Sequence, residues 1–353
     1  MSECAIKYGF PLFTRNQSTN FIVKTNKLRV SDIWAFWDYM IRKYCSKNNR
    51  TTKDKEFLFT LLEQAKYFYI TAENAPIKSQ SLLYYYSFLN IAKIVINFET
   101  FHGKGGEYQH GIRTNVNETT ILSNAQIEIL QLAGSTKISV ANEFAKALGD
   151  NYAIYPMALT IKKMLNSCIG IHRAFSETYN KKEYYIRIQN LTIEHSRGLL
   201  MSKAIVKDCD VNLMNDLRLV GYNITSVTLD DNSVCYYWEE SIPAKTVTRR
   251  SYYNLSKHLL NKGIWSYTDG DEYRLYITTS QDAKISSATT IYNIMFFLGS
   301  ITRYNPYLFD DVMSEKEQWL ISEFLKTQPK QFLYMVTSHV LGQEIYKSRA
   351  LAL

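Results

Sequence analysis

Tyr86, Asn90, Lys93 and Asn97 recur at spacings of four, three and four within an otherwise apolar stretch. That spacing places side chains on one stripe of a helix. All four can hydrogen-bond, and polar groups drawn inside a fold must find partners. The stripe is therefore either a network tying the helix to its neighbours or the polar wall of a site. A loop follows at once, Phe101-His102-Gly103-Lys104-Gly105-Gly106, with His110-Gly111 beyond it. Glycines let a backbone approach a phosphate closely, and Lys104 can neutralise its charge. His102 titrates near neutrality when unperturbed, as acid–base chemistry requires, although a histidine at a helix end also serves as a cap or a packing residue. The third candidate is Arg303-Tyr304, closing an apolar run that starts at Ile291 and stops at Pro306. Arg303 can hold a carboxylate or phosphate, or it can satisfy the helix C-terminus.

Other chemistries fit less well. H-G-K-G-G is not the phosphate loop G-x-x-x-x-G-K-[ST], and a helix rather than a strand precedes it. Neither G-x-S-x-G nor H-E-x-x-H occurs. His172-Arg173 and His195 with Arg197 are further pairs, but Arg187 precedes His195 by eight residues. HEPN-type ribonucleases use an R-x4–6-H motif, which this spacing misses. Cysteines at 4, 45, 168, 209 and 235 form no C-x-x-C pair and no zinc-ligand spacing, so they read as free thiols, and no metal or cofactor is called for. The net charge of +8 suits anionic partners, yet it is dispersed in short clusters such as Lys53-Asp54-Lys55 and Arg249-Arg250.

The elements that must position these residues are mostly helical. Ser31 or Asp32 can cap a first helix carrying Ile33, Trp34, Phe36, Trp37, Met40 and Ile41. A second helix is expected from about Asp54 to Tyr69 and a third from about Ser79 to Asn97. Residues 107–125 read as loop, 126–148 as mostly helical, and 157–175 as another helix. The middle alternates like half-buried strands at 184–188 and 273–279, with a hairpin of 224–229 and 234–238 about Asp230-Asp231-Asn232. Helices return at about 287–303, 314–326 and 329–345. The longest apolar stretch, Ile291 to Leu298, is far short of the ~20 residues that span a bilayer, and the N-terminus shows no signal-peptide pattern.

Several of these segments carry a family pattern: Ala75-Pro76, then Gln80 through Ile96 with a loosely spaced L-L-Y-Y-x-x-L-N-x-A-K, then His102-Gly103, then Leu298 through Pro306, followed by Trp319, Phe324 and Phe332. At these residues the chain resembles the YaaC-like family of bacterial proteins, most closely over 75–110 and 285–345. The resemblance implies an intracellular bacterial protein with a mostly helical framework and a place in anti-phage defence loci.

The resulting expectation is an α+β chain, mainly α-helical. It has an N-terminal helical region (1–178), a strand-rich middle (179–284) and C-terminal helices (285–353) packing on the first region. Tyr86, Asn90 and Lys93 of the third helix, His102, Gly103 and Lys104 of its loop, and Arg303 with Tyr304 should line one electropositive pocket for a phosphate, nucleotide or nucleic-acid backbone. His102 and Arg303 are the catalytic candidates should the site be enzymatic, a point the sequence leaves open. The leading reading is a cytoplasmic interaction or nucleic-acid/nucleotide-binding subunit with a protein partner in a bacterial defence complex and no membrane association. The alternative is a metal-independent, HEPN-like ribonuclease or toxin using His102 or His195 with Arg303 or Arg197. A scaffold that binds protein through exposed aromatics is a third reading.

Overall fold

Local sequence signals set most helix ends. Two short strands, β1 (Glu3–Cys4) and β2 (Leu28–Arg29), precede α1 (Ile33–Lys47). Asp32 caps α1 by accepting from the amides of Trp34 and Ala35 at 2.9 and 3.1 Å. Helix α2 (Thr52–Asn74) opens with a capping box, in which Thr51 Oγ1 accepts from the Asp54 amide and Asp54 Oδ2 accepts from the Thr51 amide. Ala75 is held extended before Pro76, which ends α2 and starts α3 (Ile77–Glu99). Helix α3 buries almost every side chain from Tyr84 to Asn97, as expected of a helix packed on several sides.

The computed structural model describes residues 3–4, 28–117, 119–132, 134, 136–150, 156–181, 185–207, 223–228, 234–246, 251, 254–255, 258–259, 264–269, 272–277, 285–314, 316–341 and 345–346. The expected turn at Asp230-Asp231-Asn232, the Arg249-Arg250 pair and Cys209 lie outside these residues. The chain divides into two units. One comprises Val30–Lys181, Ile285–Val340 and Lys347–Leu353; the other comprises Met1–Arg29, Lys182–Lys284 and Leu341–Tyr346.

After α3 the first unit departs from the sequence expectation. Residues 107–125 hold β3 (Glu107–Gln109) and β4 (Ile112–Asn115). Residues 126–148 hold β5 (Gln126–Ile129) and β6 (Lys137–Ser139) before a short α4 (Val140–Ala147). Then come β7 (Met157–Thr160), α5 (Ile161–Asn166) and α6 (His172–Tyr179), in place of one helix. Strands β4, β5 and β7 form a small antiparallel sheet, while β3 and β6 pair in parallel. The physical reason is visible in β5: Ile127 and Ile129 are fully buried and alternate with half-exposed neighbours, a period of two.

The second unit is built on an antiparallel sheet of β8 (Tyr185–Ser196), β9 (Leu199–Lys207), β10 (Ile224–Thr228), β11 (Val234–Pro243), β12 (Ile264–Asp269) and β13 (Glu272–Ile277). Their order is β10-β11-β9-β8-β13-β12, with β1 added on β8. The expected hairpin is present, with Ile224 opposite Trp238 and Thr228 opposite Val234. Arg197 and Gly198 connect β8 to β9 with φ of +51° and +72°, the two left-handed residues of a tight hairpin turn.

The chain then returns to the helical unit through α7 (Ser287–Tyr304), α8 (Pro306–Ser314) and α9 (Gln318–Leu341), followed by β14 (Ile345–Tyr346), which pairs with β2. Two helices were expected in place of α9, divided before Pro329. The helix instead runs through Pro329, because buried Phe324 and Leu325 on one side and Phe332 and Leu333 on the other hold both halves on the same core. Phe88 of α3 stacks on Phe332 of α9 with centroids 3.9 Å apart, and Phe144 of α4 packs against both Phe332 and Tyr292 of α7. Buried Asp150 fixes the start of α7, accepting from the Ser286 amide at 2.9 Å and from the Ser286 and Thr289 hydroxyls at 2.6 Å each. The architecture is thus α+β and mainly helical, with N- and C-terminal helices sharing a core and a strand-rich middle.

Candidate functional site

Gly299 determines how closely α7 lies on α3. A Cβ at this position would sit 3.2 Å from Tyr85 Cβ and 3.4 Å from both Leu82 Cα and the Ser81 carbonyl oxygen. The absence of a side chain therefore lets the two helices meet backbone to backbone. Ser81 and Thr302 hydroxyls bond across the seam at 2.9 Å. Four residues on from Gly299 comes Arg303, and four on from Leu82 comes Tyr86. The i, i+4 rule puts each on the same face as its predecessor, and Arg303 Nη1 donates to the Tyr86 hydroxyl at 2.8 Å.

Strand β4 completes a cleft over this seam. It is open, holds about 250 Å³, and is lined by Leu82, Tyr85, Tyr86, His110, Ile112, Arg113, Thr114, Phe296, Gly299, Ser300, Arg303 and Tyr304. His110 enters through the turn at Gly111, where φ is +67° and a Cβ would collide with the Ser139 hydroxyl. Its Nδ1 bonds the Tyr85 hydroxyl, and its ring packs on those of Tyr85 and Phe296. Burial, and then the positive charges of Lys93 and Arg303, hold His110 below the usual histidine range. Burial drives the Tyr85 phenol well above its own. The direction of the Tyr85–His110 bond follows the imidazole tautomer: Nδ1 accepts from the phenol when Nε2 carries the proton and donates to it when Nδ1 does.

The cations here are poorly compensated. Arg113 is neutralised by Glu128 at 2.6 Å. Arg303 lies over the ring of Tyr304 at 4.9 Å, and Lys93 lies over the ring of Tyr108 at 5.4 Å. Among the described residues neither has a carboxylate partner. Burial lowers the Lys93 ammonium from its ordinary value, the direction expected of a charge short of solvent and counter-ion.

Tyr86, Arg303 and Tyr304 therefore share one cleft, and Lys93 adds its field to it. The other expected residues sit elsewhere. Asn90 turns toward α2 and donates to Gln64 Oε1 at 3.4 Å. Asn97 uses its carbonyl oxygen to accept from the amides of both His102 and Gly103 at 2.9 Å, and its amide donates to the Lys93 carbonyl and the Tyr108 hydroxyl. Those two loop amides are thus already satisfied from within. Gly103, with φ of +62°, is buried; the His102 ring meets Tyr108 edge-on, and Lys104 is exposed outside the cleft lining. Position 110, not 102, supplies the histidine of the cleft, and the His110-Gly111 dipeptide was its sequence signal.

The remaining histidine–arginine pairs are engaged separately. His195 Nε2 bonds the Ala244 carbonyl at 2.8 Å, Arg197 forms the β8–β9 turn, and Arg173 pairs with Glu177 at 2.9 Å. Cys45 and Cys168 are buried free thiols, and burial pushes both up from the ordinary thiol value. Among the described residues no group of histidine, cysteine and carboxylate side chains is placed to hold a metal ion, and no helix is long and apolar enough to cross a membrane.

These features define a mainly helical α+β protein in which a sheet unit is inserted between two helical segments, and those segments meet at a cationic cleft. A family model described as YaaC-like protein matches residues 25–340, most of the chain, and the protein belongs to that family. No curated protein and no solved structure matches it.

Proposed function

We propose that the α3–α7 cleft binds the phosphate of a nucleotide or nucleic acid, and that the protein serves in the cytoplasm as the ligand-binding subunit of a bacterial complex of the anti-phage defence kind. The observation that carries the binding is Arg303, an arginine oriented by Tyr86 and lacking a carboxylate partner among the described residues. A guanidinium so placed can offer its remaining N–H groups to a phosphate. His110 adds a titratable group beside it, and Lys93 adds positive field at His110. The family resemblance supports the defence setting. Exposed Tyr39, Tyr67 and Ile70 on α1 and α2 supply the aromatic and apolar surface that a protein partner would cover.

Equilibrium dialysis of pyrophosphate and of a nucleoside triphosphate against the wild type and Arg303→Ala tests the binding. A charge-assisted hydrogen bond is worth ~1.5–3 kcal/mol, so the variant should bind about tenfold or more weakly. Equal binding by the two proteins would remove the cleft from consideration. Co-purification of a second polypeptide, lost on Tyr39→Ser and Tyr67→Ser together, tests the complex.

A hydrolytic role is the second reading, favoured by the neutral His110 beside Arg303: with its proton on Nδ1, bonded to Tyr85, its Nε2 is a base next to a phosphate clamp. RNA cleaved in the presence of a chelator, with cleavage lost in a folded His110→Ala variant, would establish it. Intact RNA would leave the binding role alone.

A further inference from the structure

Tyr304 and Tyr307 are the most exposed of the large hydrophobic side chains among the described residues, at 73% and 81%. They follow Arg303 by one and four residues, and neither sits on a loose segment. The Asn305 amide bonds the Ile301 carbonyl, the Phe309 amide bonds the Asn305 carbonyl, and Leu308 and Phe309 are buried beneath. The helix break at Asn305-Pro306 is thus a rigid mount that holds two phenol rings in water. Leaving such rings exposed forgoes the burial that usually stabilises them. Tyr304 already lines the cleft mouth with the Arg303 guanidinium against its ring. The nearby Asp310 carboxylate is neutralised by Lys78 at 2.6 Å, so it adds little repulsion toward an anion.

The volume of the cleft limits what enters it. At about 250 Å³ it falls below the ~300–1,000 Å³ of pockets that enclose a small molecule. So small and open a cleft suits the phosphate better than a whole nucleotide, which leaves a base toward its mouth, where Tyr304 stands, with Tyr307 three residues further on. We propose that the ligand of this cleft is single-stranded nucleic acid, with one backbone phosphate on Arg303 and neighbouring bases stacked on Tyr304 and Tyr307. This rests on the cleft being a phosphate site. Every base offers a π face, so the platform is tolerant of sequence. A duplex keeps its bases stacked on each other and cannot offer them.

Fluorescence anisotropy with short labelled RNA and DNA strands and with duplexes of the same sequence tests this, alongside calorimetry with inorganic phosphate. Single strands should bind about tenfold or more tightly than duplexes, and Tyr307→Ala should reduce the ratio of single-strand to phosphate affinity by about tenfold, with Tyr307→Phe restoring it. Tyr307 is exposed, so its replacement does not endanger the fold. Duplexes bound as tightly as single strands, or a ratio unmoved by Tyr307→Ala, would overturn the stacking platform while phosphate binding dependent on Arg303 stands. Failure of phosphate and single strands alike to bind would instead overturn the cleft itself.

Discussion

Replacing Gly299 by alanine sets two opposing effects against each other. Alanine is favoured over glycine inside a helix by about 1 kcal/mol. Against that, the new methyl would lie 3.2–3.4 Å from Tyr85 Cβ, Leu82 Cα and the Ser81 carbonyl oxygen. None of these atoms is the far end of a flexible side chain, so relief requires α3 and α7 to separate. Overpacking of this kind costs ~1–3 kcal/mol. The packing loss should win, leaving Gly299→Ala about 1 kcal/mol less stable and Gly299→Val about 3 kcal/mol less stable. Equilibrium urea unfolding followed by far-ultraviolet circular dichroism measures both, with a shifted midpoint and an unchanged slope expected. Because Arg303 is one turn beyond Gly299, phosphate affinity should fall in the same order. An alanine variant more stable than the parent would mean that the two helices are not in backbone contact here, and the cleft geometry derived from that contact would fail with it.

Three further outcomes are expected. Asp150→Ala removes an acceptor used by the Ser286 amide and by two hydroxyls, and bonds to a charged acceptor are worth ~1.5–3 kcal/mol each, so unfolding should ease by about 3 kcal/mol, with Asp150→Asn intermediate. Asn97→Ala should strip the His102 and Gly103 amides of their acceptor, which hydrogen exchange would report as faster exchange at both positions; unchanged protection would show that another group holds the loop. His110 is held below its ordinary value of 6.5, so the unfolded chain binds the extra proton first as pH falls below 6.5. The stability contribution is full above that value and declines as pH drops toward the folded one. His110→Gln should flatten that slope. A bound phosphate favours the imidazolium, so ligand affinity should rise as pH falls through the same window.

Much of the framework was legible because it rests on local rules. Asp32 and Thr51 are cap residues at helix starts, Pro76 breaks α2 from α3, and the Tyr86–Asn97 stripe follows from three-and-four spacing. The meeting of α3 with α7 was legible too: an arginine ending an apolar helix needs an acceptor, and Tyr86 is one. The short strands between Glu107 and Thr160 were not. Each has three or four residues, and partners lie far along the chain, as in Glu107 opposite Lys137 and Ile127 opposite Leu159. Their pattern is too short to separate from loop or helix before pairing is known. The choice between His102 and His110 depended on that pairing. Gly111 turns the chain against Ser139, and only once β3 has joined β6 does His110 face Tyr85. The role of Asn97 was hidden for a related reason, since a buried amide serves equally as a site wall or as a peg for a loop until the loop amides that donate to it are seen.

The most direct test of the phosphate cleft is a calorimetric titration of pyrophosphate into the wild type, Arg303→Ala and Arg303→Glu, with thermal unfolding measured on the same samples. Arg303 is exposed, so all three should unfold alike. Affinity should fall about tenfold in the alanine variant and further still when the charge is reversed. Equal affinities across the three folded proteins would contradict the account.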